Sequence, residues 1–396
     1  MRSWYKNIDG VHAFYANGLL RSLFMSMTSI YVPLFIYSVG MGIWGSWQAA
    51  LWLVAAYYIL QRLVVVIIVF PLSKLIEQIG FRRSISLSVF FLIAYTVSLL
   101  LVKQDTSWLW VSAVCGGLQI PMYWISRDSA LSQDIEGKTM GRRIAYIAVL
   151  ENIASLLGPF VGGTIVALSG YSTLFGVTLA ILALSIIPLW WMPGHTHKNG
   201  VSLAGFGYFL RTKRYLHQAV ANVGIAVNDY GNGVIWPLIL FFQGIRDEKI
   251  GIIYSVVAVL AVAIQYITGP WFDKLRARKD YADEGIFGLA TAGIAIIWVA
   301  RFFVKGIAQV LPVDMGRQLF SSVHANFFSD YLHLGGKRMD SIAYWVYIEI
   351  MYSLGAIGIF GIMAMGVYWG IWKELVLVSI ALWSLATLLI AKESNL

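Results

Sequence analysis

Long apolar runs alternate with short polar breaks bearing Gly, Pro and charge along almost the whole chain. Twelve of these runs come close to or exceed the ~20 apolar residues that cross a bilayer as a helix. They fall at 12–37, 45–70, 84–102, 108–126, 144–168, 173–192, 215–243, 250–272, 284–304, 306–325, 341–367 and 371–391, here spans 1 to 12. The pattern predicts an all-α polytopic membrane protein. Span 1 is long, carries Arg21 and is followed by no small-residue cleavage site, so it is read as a retained span rather than a signal peptide.

Composition agrees: 59% of the 396 residues are hydrophobic and 12% charged, against roughly 45–50% and 25% in soluble domains. A soluble enzyme is thereby excluded. The single cysteine, Cys115, offers no disulfide partner and no Cys-ligated metal site, and the chain holds no HExxH, P-loop lysine or Gly-x-Ser-x-Gly motif. No cofactor and no metal are expected. A net charge of +9 would suit nucleic acid, but its placement gives it another meaning. With both termini on one side, twenty of the Lys and Arg residues fall in loops on that side, five on the other and four within spans. Cytoplasmic loops collect basic residues, so both termini are expected in the cytoplasm of an inner-membrane protein, without nucleic acid as a partner.

The chain also repeats itself. Pro33-Leu34 followed by Gly40 returns as Pro237-Leu238 followed by Gly244, and Gln61 returns as Gln265, each at an offset of 204. Ile144-Ala145-Tyr146 with Glu151 returns as Ile342-Ala343-Tyr344 with Glu349, at an offset of 198. An ordered series of this kind indicates duplication. Two pseudo-symmetric halves are expected, 1–192 and 215–396, each a bundle of six helices, joined by a polar connection over 193–214. Transporters built from such halves hold substrate near the midplane between them.

With these features the sequence resembles the major facilitator superfamily over essentially its whole length. That family's loop between spans 2 and 3 reads Gly-x-x-x-Asp-(Arg/Lys)-x-Gly-(Arg/Lys)-(Arg/Lys). Here the stretch from Ser73 to Arg83 keeps an acid, Glu77, with Gly80, Arg82 and Arg83; the copy from Gly269 to Lys279 keeps Gly269, Asp273 and Lys274 but has Arg276 at the second glycine. The resemblance implies a tight turn and a carboxylate latch at each copy, so these residues are candidate gating elements. Gly158-Pro159-Phe160-Val161-Gly162-Gly163 in span 5 is similar to part of the family's antiporter signature. It implies a contact between the halves at Gly158 and Pro159, and export against a proton gradient in the manner of degenerate drug/proton antiporters.

Charges at membrane depth cost at least about 2.5–3.5 kcal/mol, so they tend to face a cavity or a partner. Counting rise along the helices places Arg21, Glu151, Asp229, Arg317 and Glu349 deep and Asp314 at an intermediate level, while Arg62 and Arg301 reach the two interfaces by snorkelling. Two deep cations against three deep acids leave one carboxylate uncompensated and titratable. Asp229, then Glu349 and Glu151, are the candidate proton-coupling acids. Polar stripes at helical spacing accompany them: Asn17, Arg21 and Thr28 in span 1, Gln119 and Tyr123 in span 4, Asn222, Asp229 and Asn232 in span 7, and Arg317, Ser321 and His324 in span 10. These are the candidate substrate-binding residues, and the resemblance implies that spans 1, 4, 7 and 10 line a central cavity.

The expectation is therefore a monomeric secondary active transporter, not an enzyme, moving a small organic or amphipathic molecule by proton-coupled efflux through a lipid bilayer. Proton-driven uptake of an anionic metabolite through Arg21 and Arg317 is the first alternative. A transporter-like ligand sensor is the second, made less favourable by short ends.

Overall fold

Gly80 and Gly170 each adopt a left-handed backbone with φ of 80°, and at each the helical path breaks between two successive spans. A side chain there would be strained, so glycine sets both turns. The first is the turn expected from the Gly80 motif. The computed structural model describes residues 8–133, 140–191, 200–278, 282–336 and 339–393, and among these every regular element is helical. The architecture is the expected one: twelve transmembrane helices in two six-helix halves.

In the first half, span 1 consists of Ile8–Thr28 and Tyr31–Trp44, and spans 2 and 3 share the helical run Trp47–Leu101 on either side of Gly80. Span 4 is Trp108–Gln133, and spans 5 and 6 lie within Met140–Ile186 on either side of Gly170. In the second half, span 7 runs through Lys213–Tyr230, a π-helical turn Gly231–Ile235 and Trp236–Phe242. Spans 8 to 12 are Asp247–Arg278, Ala282–Ala300, Ile307–Gly336, Ser341–Trp369 and Trp372–Ala386. Seven stretches among the described residues are long and apolar enough to cross a membrane on length and composition alone.

The face on which span 1 begins is here the terminal face, and the other the opposite face. At the opposite face the halves close on each other. The Tyr31 hydroxyl donates to the Pro159 carbonyl at 2.6 Å, and Gly251 of span 8 lies so close that a Cβ there would overlap both groups. Tyr171 of the first half donates to Asp247 Oδ2 of the second at 2.6 Å, and Tyr37 packs edge-on to Phe242 with ring centroids 5.3 Å apart. Small residues permit this approach. Further in, Tyr58 of span 2 stacks on Phe360 of span 11 at 4.8 Å and 8°.

The connection between the halves is more than a polar loop, because Leu203–Arg211 forms a helix capped by Ser202, whose side chain accepts from Gly205 N. Its Phe209 is wholly buried against Tyr215, Tyr344 and Tyr347, and Tyr347 donates to Ser202 O at 2.9 Å. Phe206 reaches Phe70 of span 2, so the linker helix touches both halves.

Candidate functional site

Residue Arg62 does not reach an interface, as expected from the sequence, but lies 7% exposed at the boundary between the halves. Its Nη1 donates to Glu349 Oε1 of span 11 at 2.8 Å, its Nε donates to the Tyr230 hydroxyl, and its guanidinium lies 5.1 Å from the ring centroids of Tyr230 and Tyr352. Snorkelling loses because a carboxylate and two hydroxyls, those of Tyr230 and Ser353, offer better solvation at depth than a stretched side chain reaching for water. Beside this pair, Tyr352 donates to Asp229 Oδ2 at 2.9 Å. Asp229 is solvent-accessible although it lies midway along span 7, where Arg62 and Arg317 act on its charge. Its carboxylate therefore faces open space inside the bundle.

The π-helical turn Gly231–Ile235 follows directly after Asp229, and Tyr254 of span 8 donates to the Asn232 carbonyl at 2.5 Å. Such turns often mark functional sites in helices. Glycines at 231 and 233 are the signal in the sequence that could have located it.

Arg301 also departs from the expectation of snorkelling. It is 2% exposed, pairs with Asp314 Oδ1 at 2.6 Å, donates to Asn232 Oδ1 at 2.9 Å, and is sandwiched between Trp236 and Trp298 at 4.3 and 4.2 Å. Trp236 Nε1 donates to the other oxygen of Asp314 at 2.9 Å. Spans 7, 9 and 10 are thus pinned together inside the second half. The charge balance drawn from the sequence changes accordingly: Arg62 and Arg301 join Arg21 and Arg317 in the interior, and Glu349 and Asp314 each hold one of the added pair.

In the first half, Arg21 is 3% exposed, donates through Nη2 to Gln119 Oε1, and lies 3.6 Å from the ring centroid of Tyr123. Its Nη1 is buried and has no acceptor among the described residues. Spans 1 and 4 therefore join three of the expected residues in one cluster. In span 10, Arg317 donates to Ser321 at 3.2 Å and to Gln318 at 3.4 Å, and its buried Nε has no acceptor among the described residues.

Other expected residues lie in different surroundings. Asn17 donates to the Ser185 carbonyl of span 6 at 2.9 Å, Thr28 to Phe24 O at 2.8 Å, and Asn222 to Gln218 O at 2.8 Å. His324 stacks on Phe287 and meets Thr387 at 2.9 Å, between spans 9, 10 and 12 and apart from Asp229. Glu77 and Arg82 are half-buried next to Gly80, and Gly158 abuts Ser26 of span 1. The side chains of Glu151, Asp273 and Lys274, with Gly269, lie outside the described residues. No group of three or more metal-ligating side chains occurs among the described residues.

Comparison with known proteins gives a consistent picture of the fold. Residues 14–307 match the Major Facilitator Superfamily. An uncharacterised protein, YqgE of Bacillus subtilis, is 21% identical over 293 residues, 72% of this chain; the chain spans 58% of that relative's length. Among solved structures, the human organic anion transporter MFSD10 superposes with a TM-score of 0.68 at 12% identity, covering 97% of this chain and 99% of the other. The E. coli fucose:proton symporter FucP gives 0.66 at 12% identity with 99% of each chain covered. A peptide transporter POT in complex with sulfate gives 0.68 at 11% identity, covering 100% and 96%.

Proposed function

Given that the chain belongs to the major facilitator superfamily, we propose that it is a secondary active transporter of a small organic molecule that works by alternating access and is coupled to protons. The observation that carries this reading is the pair Arg62–Glu349, which crosses from one half to the other next to Asp229. Rocking one half against the other must separate or reorganise spans 2 and 11. A proton on Glu349 removes one charge of that pair and lowers the cost of the movement.

Asp229 supports the proton route. Its carboxylate faces open space and connects through the Tyr352 hydroxyl to the surroundings of Arg62. Protonation there leaves the Tyr352 contact available while changing the field at Arg62. The small-residue seam of Pro159, Gly163 and Gly251 allows the halves to meet at the opposite face without an intervening side chain. In this reading both termini are cytoplasmic in an inner membrane, the working unit is a monomer, and no cofactor takes part.

Two directions were open from the sequence. Export by antiport rests on the Gly158-Pro159 seam, where Gly158 meets Ser26 of the same half while the Pro159 carbonyl lies against Gly251 of the other. Uptake of an anion with a proton is favoured by a different observation, that Arg21 and Arg317 have no carboxylate partner among the described residues.

The test uses proteoliposomes with a trapped pH indicator, offered mixtures of lipophilic cations, organic anions and sugars. Proton movement with at least one mixture in the wild type, lost in Asp229→Asn and in Glu349→Gln, is the expected result. Proton movement that is unchanged in both variants contradicts the coupling assignment.

A further inference from the structure

Four arginines of the helical bundle have their guanidinium groups directed into the fold, and they divide into two kinds. Arg62 and Arg301 are charge-paired, each with a carboxylate, further hydrogen bonds and aromatic faces, although the buried Nε of Arg301 also has no acceptor among the described residues. Among the described residues Arg21 and Arg317 contact only neutral acceptors, and each retains a buried N–H group with no acceptor. A buried cation without a counter-charge is costly, and an unmet guanidinium N–H adds to that cost. Arg127 adds its positive field at Arg21, whereas at Arg317 the field of Arg301 is opposed by that of its partner Asp314.

Asp229 does not cancel them. It acts on Arg317 through the field, yet its Oδ2 is taken by Tyr352 and no ion pair with Arg317 forms. Arg21 on span 1 thus has no carboxylate partner among the described residues, and the acids whose fields reach Arg317 on span 10, Asp314 and Asp229, are each engaged by another side chain. The shape of the Arg21 site narrows the ligand further. The Tyr123 ring, 3.6 Å away, covers a face of the guanidinium, and Gln119 holds one of its terminal nitrogens. What remains is an in-plane edge, the geometry suited to a carboxylate or phosphate oxygen.

We infer that the substrate is an organic anion whose carboxylate or phosphate group is held by Arg21 of the first half and drawn by Arg317 of the second. This inference rests on the transporter reading and names its substrate class. A ligand attached to one half and attracted by the other supplies a reason for the halves to move together once it is bound.

The test uses the full chain purified in detergent, with benzoate and phenyl phosphate as anionic probes and tetraphenylphosphonium as a cation of opposite charge. Binding is read from quenching of the sixteen tryptophans and from the unfolding midpoint. At least one anion is expected to bind and to raise the midpoint. Its affinity should fall tenfold or more in Arg21→Gln and in Arg317→Gln, with part retained in Arg21→Lys, which keeps the charge but loses the planar edge. Arg21→Lys also guards against loss of fold in the neutral variant.

The inference is overturned if neither anion binds the wild type, if tetraphenylphosphonium alone binds, or if both glutamine variants bind the anions as the wild type does. Flux in proteoliposomes separates the two ideas. Anion binding through Arg21 with no flux sinks the transporter reading and keeps the site, whereas proton-linked flux of tetraphenylphosphonium without anion binding does the reverse.

Discussion

Arg62 on span 2 and Glu349 on span 11 meet at 2.8 Å across the boundary between the two halves, and Ser353 lies one turn further along the same helix. Both charged side chains are largely withdrawn from solvent, at 8% and 14% exposure. In such surroundings the cost of losing one partner exceeds the net worth of the pair.

Glu349→Leu, which strands Arg62, is therefore expected to destabilise the protein by about 3–5 kcal/mol. The double substitution Arg62→Met with Glu349→Leu should recover most of that loss while abolishing proton coupling. Chemical unfolding of the four members of this cycle is the check. A double variant as unstable as the single one would remove the pair from the account.

Gly251 keeps the opposite face closed by allowing span 8 against Tyr31 and Pro159. Gly251→Val should force the seam apart and admit water to the turn below, where the Ser255 hydroxyl is buried. In a Cys115→Ser background, maleimide should label Ser255→Cys slowly, and much faster once Gly251→Val is added. Equal labelling in both would show that the seam does not close that face.

Asp314 holds Arg301 together with Asn232 and two tryptophan rings. Asp314→Asn should cost about 3–5 kcal/mol by leaving a buried guanidinium without its counter-charge. Arg301→Lys should also be strongly destabilising, because an ammonium cannot fill the planar slot between Trp236 and Trp298. The unfolding midpoint of each variant measures this.

Phe209 anchors the linker helix to Tyr215 and Tyr347. Phe209→Ala is expected to weaken that anchorage by about 3–5 kcal/mol. Arg211 and Lys213 are exposed beside it, so limited trypsin digestion should cut there faster in the variant. An unchanged cleavage rate would show that the helix is held by something else.

The spans, the duplication and the turn at Gly80 were all legible in the sequence, because hydropathy and glycine placement act locally. Charge pairing was not. Counting rise along a helix gives the depth of Arg62 and Arg301 but not the direction in which each side chain points, and a snorkelling arginine has the same spacing as a paired one. Their partners, Glu349 and Asp314, lie on other helices, the first of them 287 residues away. Likewise His324 falls on the polar stripe of span 10, yet the structure places it against Phe287 and Thr387, since stripe membership does not separate a cavity from an interhelical gap. The linker helix could have been found: Ser202 stands at the capping position, with Phe206 and Phe209 three residues apart on one face.

The central claim is that protonation of the acids between the halves sets which face is open. Its most direct test is the distance between the halves as a function of pH, measured by paired spin labels in a Cys115→Ser background. Gln104 and Lys305 are exposed at the opposite face, and Arg83 and Lys213 at the terminal face. Between pH 8 and pH 5 the account predicts that one labelled pair separates while the other approaches, and that Glu349→Gln combined with Asp229→Asn removes the pH response. Distances that do not change with pH, or a response that survives in the double variant, would contradict it.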